Sequence, residues 1–145
     1  MKWSDCAVQD LTKYNGLKSS IENIKERIEV LEMRFDGMKA INMSDEIKAA
    51  SDKLWDDRLT DNIVERERLK LLLEADIRMI ALIDRGLGYL DETEKNVLMY
   101  FYIDKQLNHV ESLKEKLNIE KSQIYRVKSQ ALYKFTSHMY GLEEL

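Results

Sequence analysis

The sequence predicts an all-α protein built from an N-terminal antiparallel coiled-coil hairpin in residues 1–88 and a C-terminal helix-turn-helix domain in residues 89–145. Three observations lead to this fold class. The 145 residues include no proline and only five glycines, and these are the residues that most often interrupt helices. Apolar residues in the N-terminal half recur in steps of three and four, and residues 107–127 repeat the apolar spacing of a helix-turn-helix.

Charge and cysteine content narrow the class of protein further. The formal net charge of −4 argues against an unstructured polycationic arm, so any affinity for nucleic acid has to come from locally clustered positive charge. The single cysteine, Cys6, cannot form an intrachain disulfide, which fits a reducing cytoplasm. The N-terminus lacks the apolar core of a signal peptide, and charged residues interrupt the most apolar run, so we expect no membrane segment.

The first predicted helix carries an unbroken a/d heptad seam over residues 14–35, on an otherwise polar surface. Such a narrow apolar strip needs a partner, because an isolated helix of this kind is not stable in water. The seam positions are Tyr14, Leu17, Ile21, Ile24, Ile28, Leu31 and Phe35.

A second helix is predicted from about residue 59 to residue 87, with apolar residues spread over a wider face than in the first. Thr60 or Asp61 is the expected N-cap, and Arg85 followed by Gly86 and Gly88 gives a basic last turn and a glycine stop. Residues 36–58 are interpreted as a connector with one helical turn or more. The apolar positions are Ile63, Leu69, Leu72, Leu73, Ile77, Ile80, Ile83 and Leu87.

These two helices allow two compatible interpretations. In the simpler one, the hairpin seam is only a core. In the other, the hairpin buries the narrow seam and leaves the broad face of the second helix for another subunit. Residues 10–35 and 59–87 would then form a homodimer or higher oligomer that carries two or more copies of the C-terminal domain.

A supporting helix of about twelve residues is predicted after Gly88, with Asp91 or Thr93 as its N-cap. Residues 105–108 form the following turn. A helix-turn-helix needs such a helix to bury the back of its motif. Its apolar residues are Val97, Leu98, Phe101, Tyr102 and Ile103.

The motif itself is predicted as a helix over residues 109–117, a turn at 118–120 and a final helix from about Lys121. Two positions depart from the usual small residues of the motif. Asn118 replaces a turn glycine, which is a mild change because asparagine tolerates the left-handed conformation. Lys114 fits only if its stem slides outward with the ammonium in solvent, or if the helices sit farther apart. The inward positions are Val110, Leu113, Leu117, Ile119, Ile124, Val127, Ala131, Leu132 and Phe135.

The outer side of the final helix carries residues suited to double-stranded DNA. The basic residues Lys121, Arg126, Lys128 and Lys134 have no acid among them in residues 121–135. Arg126 can pair with guanine and Gln123 with adenine, whereas Lys121, Ser122 and Lys128 suit phosphates. The alternative is that these cations only solubilise an exposed face. The predicted DNA-binding residues are Lys121, Ser122, Gln123, Tyr125, Arg126, Lys128 and Ser129.

No pattern supports catalysis, so we expect no enzyme, no cofactor and no metal site. The sequence has no glycine-rich phosphate loop and no nucleophile elbow. His109 and His138 lie far apart without acidic or thiol partners at ligand spacing, and are interpreted as an exposed helix-start residue and a late-helix surface residue.

Several of these segments together resemble a known family, the ArpU/RinA-like late transcriptional regulators of phages and prophages in Gram-positive bacteria, with their sigma-factor region-4-like domain. The resemblance rests on residues 90–94, 97–98, 100–103, 110, 113, 117, 120–126 and 131–135, and extends over the N-terminal half from residue 1 through the heptad helix to residues 62–69. It implies a cytoplasmic DNA-binding transcriptional regulator in the bacterial host cell, with the recognition helix at about 121–135 in the major groove and RNA polymerase as a candidate partner.

Two other functions stay open at this point. The chain could be an adaptor that docks on RNA polymerase or another regulator without reading DNA, which the acidic balance and the broad face of the second helix favour. It could also be a structural phage component that polymerises through its heptads. A full sigma factor is disfavoured, because residues 1–88 predict a coiled coil instead of a strand-melting domain.

Overall fold

The computed structural model describes residues 2–41 and 52–142, and every regular element in these two ranges is helical. The all-α class is therefore confirmed for the described residues. None of the helices in them is long and apolar enough to cross a membrane. The elements are α1 (Trp3–Ile41), α2 (Asp52–Gly88), α3 (Glu92–Leu98) continued by a π-helical turn (Met99–Ile103), α4 (His109–Leu117) and α5 (Lys121–Tyr140).

The first two helices are longer than the sequence predicts. Helix α1 continues past the expected connector start to Ile41, and α2 begins at Asp52, so Thr60 and Asp61 lie inside a helix and do not cap it. The rest of the predicted connector, 42–51, lies outside the described residues. The glycine stop is confirmed, because α2 ends at Gly88. The sequence signal was misleading because Thr and Asp also occur on solvated helix faces, as they do here.

The heptad seam of α1 is confirmed by the exposure of its residues. All seven seam positions from Tyr14 to Phe35 are buried or half-buried, whereas nearly every residue between them is exposed. The pattern also extends in both directions, to the buried Ala7 and Leu11 and to the half-buried Met38. The seam therefore covers most of the helix and is longer than the three heptads visible in the sequence.

One compact unit of the chain is Ser19–Arg78. Its core contains Ile24, Ile28 and Leu69, with Leu31 and Leu73 packed against them. Ser20 donates to the Asp76 carboxylate at 3.2 Å, and further along α1 the carbonyl of Leu31 accepts from Asn62 at 2.9 Å. The residue number rises from Ser20 to Leu31 along α1, whereas that of the partner on α2 falls from Asp76 to Asn62. The two segments therefore run antiparallel.

A polar layer lies inside this apolar seam. Asn62 is buried, donates to the Leu31 carbonyl and accepts from Arg66 Nε at 2.8 Å. The Arg66 guanidinium lies over the Phe35 ring, 4.7 Å from its centroid. A buried amide that can bond in only one register favours that register over others, as single polar residues do in coiled coils.

The second compact unit joins Met1–Lys18 to Met79–Leu145. The limits of this unit do not coincide with the predicted division at residue 88, because residues of α1, α2 and α5 share a core. That core contains Leu11 from α1, Ile83 and Leu87 from α2, and Phe135 from α5. The side chains of Leu11, Ile83 and Phe135 are fully buried. The beginning of α1 and the end of α2 are thus structural parts of the C-terminal module.

A separate cluster in the same unit brings α3, its π-helical turn, α4 and α5 together. The predicted inward residues of the motif from Val110 to Val127 belong to this cluster or pack against it. Ala131 and Phe135 instead belong to the core shared with α1 and α2. Asp91 is the N-cap of α3, where it forms a capping box with Glu94. The members of the cluster are Val97, Phe101, Leu113, Ile124 and Val127, with Val110, Leu117 and Ile119 at its edge.

The supporting helix ends in a π-helical turn that the sequence does not predict. Asp104 N donates to the carbonyl of Met99, five residues earlier, at 2.7 Å. The Asn15 amide on α1 donates to the Ile103 carbonyl at 3.1 Å and to the Asp104 carboxylate at 3.0 Å. These two bonds satisfy the backbone and the acidic side chain where the turn ends. Such turns often occur at functional sites.

Candidate nucleic-acid interface

The turn between α4 and α5 has the backbone conformation that the sequence predicts. Asn118 follows the last residue of α4 and has φ 54° and ψ 45°, in the left-handed region. Asparagine adopts this conformation more readily than most side chains. Glu120 is extended, and α5 begins at Lys121. A three-residue turn therefore redirects the chain, and Leu113 and Ile124 pack in one cluster across it.

The first turns of α5 present an exposed polar surface. Lys121, Ser122, Gln123 and Arg126 are exposed, and Tyr125 is 42% exposed. Neither Lys121 nor Arg126 makes an ion pair or hydrogen bond with a side chain anywhere in residues 2–41 and 52–142. Because both cations project from a helix whose opposite side is buried through Ile124 and Val127, they are available to an anionic partner.

The other predicted site residues are already engaged within the chain. Ser129 is exposed, but its hydroxyl donates to the Tyr125 carbonyl at 3.1 Å. Lys128 is half-buried, and its ammonium lies 4.8 Å from the Phe101 centroid and 5.8 Å from those of Tyr102 and Tyr125. The side of α5 that carries Lys128 therefore differs from the freely exposed surface around Lys121 and Arg126.

Lys114 takes the first of the two accommodations that the sequence allows. The residue is half-buried, and its Nζ lies 3.9 Å from the Glu111 carboxylate on the same helix, with 40% of the side chain exposed. The charged end thus lies at the surface, as in the first accommodation, in which the stem slides outward. The lysine is therefore compatible with Leu113 being fully buried beside it.

The two histidines have different surroundings. His138 is exposed, as predicted, and its ring stacks on Tyr89 with the centroids 3.8 Å apart. The interpretation of His109 as an exposed residue was wrong. It is half-buried and meets Phe101 edge-on at 4.6 Å, with Nδ1 3.2 Å from the Gln106 carbonyl. The π-helical turn places Phe101 against the start of α4, which periodicity alone does not reveal.

The structure also gathers residues that the sequence reasoning did not assign to a site. The sequence assigns Phe101 and Tyr102 only to the support of the motif and Lys105 to a turn, yet all three line one pocket with Tyr125 and Lys128. Burial raises the pKa of Tyr102, so this phenol stays neutral. The signal that could have pointed here is the aromatic run 100–102 with Lys105 and His109 close behind it, since aromatic and basic residues together are typical of nucleic-acid sites.

The exposed end of α5 thus combines cations, amide and hydroxyl groups on one rigid helix, which is suited to contacts with phosphates and base edges. The helix dipole adds partial positive charge at the N-terminus of α5, because the free backbone N–H groups lie there. No protein-family model, curated protein or solved structure matches the chain.

Proposed function

We propose that the protein is a transcriptional regulator that binds double-stranded DNA in a sequence-specific manner, with α5 as the recognition helix in the major groove. The observation that carries this proposal is the pairing of α4 and α5 through left-handed Asn118, with Lys121 and Arg126 exposed and unpaired at the start of α5. In a helix-turn-helix the N-terminal residues of the second helix contact base edges.

Individual residues have distinct roles in this proposal. Arg126 makes a bidentate contact with guanine and Gln123 with adenine, each contributing about 1–3 kcal/mol of discrimination. Lys121 and Ser122 bind phosphates, and Tyr125 contacts a thymine methyl group or a phosphate. Lys128 and Ser129, whose polar groups have partners within the chain, contribute less than the other five.

The wider architecture belongs to the same proposal. The antiparallel segments of α1 and α2 form a coiled-coil hairpin, and the helices that follow form a sigma region-4-like helix-turn-helix domain. The resemblance to phage and prophage late regulators suggests genes for packaging, structure or lysis as targets. Two copies joined through the hairpin would read two half-sites, with RNA polymerase as a further candidate partner.

Selection of bound duplexes from a random pool, followed by variants, tests DNA reading. With the selected duplex, Arg126→Ala is expected to weaken binding at least about tenfold and to relax the preference at one base pair. Lys121→Ala should weaken all duplexes alike and reduce the slope of log K against log salt by about 0.9. Arg27→Ala, which removes an exposed arginine from α1, is the matched control.

The selection has further outcomes that matter. A palindromic consensus would support a two-fold symmetric dimer. If no consensus emerges, and the wild type and Arg126→Ala bind equally weakly at every salt concentration, the proposed function is refuted.

A second candidate function rests on a different surface. On α2, Leu71 is 69% exposed and Val64 62% exposed, on the side away from buried Leu69. This favours an adaptor that docks on RNA polymerase or another regulator without reading DNA. Retention of polymerase by the full chain, lost in Leu71→Asp but kept in Arg126→Ala, would support the adaptor. Measurement of the mass in solution separates a dimer from the large polymers expected of a structural phage component.

A further inference from the structure

A pocket of about 580 Å³ lies beside α5 in the unit that joins the two ends of the chain. Val8 and Thr12 of α1 form one wall, and the π-helical turn, the start of α4 and α5 form the others. Its volume is within the range of small-molecule sites. The residues that define its chemistry are Phe101, Tyr102, Lys105, His109, Tyr125 and Lys128.

Aromatic rings dominate the inner surface of this pocket. The Phe101 ring meets His109 edge-on at 4.6 Å and Tyr125 edge-on at 5.9 Å, measured between centroids. Phe101 is almost fully buried, whereas His109 and Tyr125 keep accessible surface. Two partly exposed rings, held in place by a buried third, form a rigid stacking platform, and every nucleobase has a π face that can stack on such rings.

The same pocket carries positive charge that no acid on its wall offsets. Lys105 is exposed, Lys128 is half-buried, and none of the pocket's lining residues is acidic. Asp104, the neighbour of Lys105, instead accepts from the Asn15 amide at 3.0 Å and lines a different pocket. An anionic group is therefore favoured here, although the chain as a whole is negatively charged.

The position of Lys128 prepares it for such an anion. Its ammonium lies over three rings, at 4.8 Å from Phe101 and 5.8 Å from Tyr102 and Tyr125. Cation–π contacts hold the side chain without neutralising its charge. Because the side chain is already ordered, binding a phosphate costs it little conformational entropy.

The geometry points to an unpaired nucleotide as the ligand of this pocket, with its base stacked against His109 and Tyr125 and its phosphate held by Lys105 and Lys128. This goes beyond the proposed function, because α5 reads bases that stay paired and stacked in a duplex, whereas the pocket takes a base outside the stack. The nucleotide can belong to a single strand or be a free mononucleotide.

Anisotropy of a short labelled oligothymidylate bound to the full-length protein tests the inference. Neutralisation of the one phosphate in the pocket predicts a slope of about −0.7 for log K against log salt. Lys105→Gln should weaken binding about fivefold at low salt and make that slope shallower. Thr12→Phe should fill the pocket and weaken binding with the slope unchanged. Lys13→Gln, an exposed neighbour on α1, is the matched control. Far-ultraviolet circular dichroism checks that each variant is folded.

Competition identifies the source of the nucleotide. Thymidine monophosphate that displaces the strand at lower concentration than inorganic phosphate supports the pocket as a nucleotide site. Strand binding without such displacement supports a single strand as the ligand, and binding of the mononucleotide alone supports a free effector. Equal displacement by inorganic phosphate, or strand binding unchanged in both Lys105→Gln and Thr12→Phe, overturns the inference, as does failure of both probes to bind at low salt.

The variants also separate this inference from duplex reading. Arg126→Ala lies outside the pocket and should leave strand binding intact while it weakens the duplex. If the duplex experiment fails and the strand experiment succeeds, only the proposed function is refuted. If Lys105→Gln and Thr12→Phe both leave strand binding unchanged while Arg126→Ala weakens duplex binding, only the pocket is refuted.

Discussion

Lys134 on α5 donates to the carboxylate of Glu94 on α3, with Nζ 2.9 Å from Oε2. The Glu94 side chain is only 6% exposed and also accepts from the Asp91 backbone N–H at 3.2 Å. One carboxylate thus closes the capping box of α3 and pairs with a lysine of α5. Lys134 is one of the basic residues that the sequence shows on α5, but its ammonium forms an ion pair within the chain.

Replacement of Glu94 is expected to loosen the start of α3. Glu94→Ala removes one bond of the capping box and should lower the free energy of unfolding by about 1 kcal/mol. Urea denaturation at neutral pH measures this loss. Glu92→Ala, at an exposed site in the same turn, is the control and should cost at most a few tenths of that amount. Equal losses in the two variants would contradict the role assigned to Glu94.

The same pair predicts an alkaline effect. The bond to Glu94 raises the pKa of Lys134 above its ordinary value. A raised pKa stabilises the folded state fully at pH values below the pKa of lysine in the unfolded chain, and this stabilisation is lost as the pH rises through the folded pKa. The stability difference between the wild type and Glu94→Ala should therefore shrink at high pH. A constant difference would show that the pair does not contribute.

Gly86 is expected to tolerate no side chain. A Cβ at this position would lie 2.8 Å from Phe135 Cε2 and 3.3 Å from Met139 Sδ. Because Phe135 is fully buried and cannot move away freely, Gly86→Ala should destabilise the protein by about 1–3 kcal/mol. A Cβ at Gly16 of α1 would have no such neighbour within 4 Å. Gly16→Ala should therefore stabilise the protein by about 0.5–1 kcal/mol. Thermal unfolding followed by circular dichroism compares the two, and the same sign for both would be inconsistent with this packing.

A charge in the α1–α2 core should disrupt the antiparallel pair. Ile24 is 7% exposed and packs with Leu69, so Ile24→Asp buries an unpaired carboxylate and is expected to cost roughly 3 kcal/mol or more. Val30→Asp changes an exposed position on the same helix and should stay within about 0.5 kcal/mol. The helical signal and thermal midpoint report both effects. An unchanged midpoint in Ile24→Asp would refute the packing of the seam.

The bond between Tyr140 and Asp10 ties the end of α5 to the start of α1. The Tyr140 hydroxyl donates to the buried Asp10 carboxylate at 2.5 Å. Tyr140→Phe leaves that carboxylate without this donor and should lower the free energy of unfolding by about 1–3 kcal/mol. Tyr133→Phe, on the exposed side of α5, is the control and should have little effect in the same chemical denaturation experiment.

The Tyr140 phenol also predicts a pH dependence. Burial, and then the bond to Asp10, raise the pKa of Tyr140 well above its ordinary value. The stabilisation is complete below about pH 10, where tyrosine in the unfolded chain is still protonated, and it is lost as the pH rises towards the folded pKa. The wild type should therefore lose stability at alkaline pH more steeply than Tyr140→Phe. Parallel pH profiles would exclude this phenol as the cause.

Much of the local structure follows from residue order alone. The three- and four-residue spacing identifies the buried side of α1, and the polar residues between apolar positions identify the surface. Asp91 is predicted as a cap and Asn118 as a tolerated turn residue, because capping and left-handed backbone depend on near neighbours. The exposed set Lys121, Gln123 and Arg126 follows in the same way, since Ile124 and Val127 define the opposite side of the helix.

Tertiary structure decided which partners these surfaces meet. Periodicity predicts that Ile83 and Phe135 face a core, but not that they pack with each other and with Leu11, since contacts between distant residues leave no local pattern. The same holds for Lys128, which sequence order places with Lys121 and Arg126 but which packs over the rings of Phe101 and Tyr125. The sequence by itself therefore determined the all-helical class, the buried sides of the helices and the exposed cations at the start of α5. Only the fold determined which cations stay free, because that depends on which distant side chains come within contact distance.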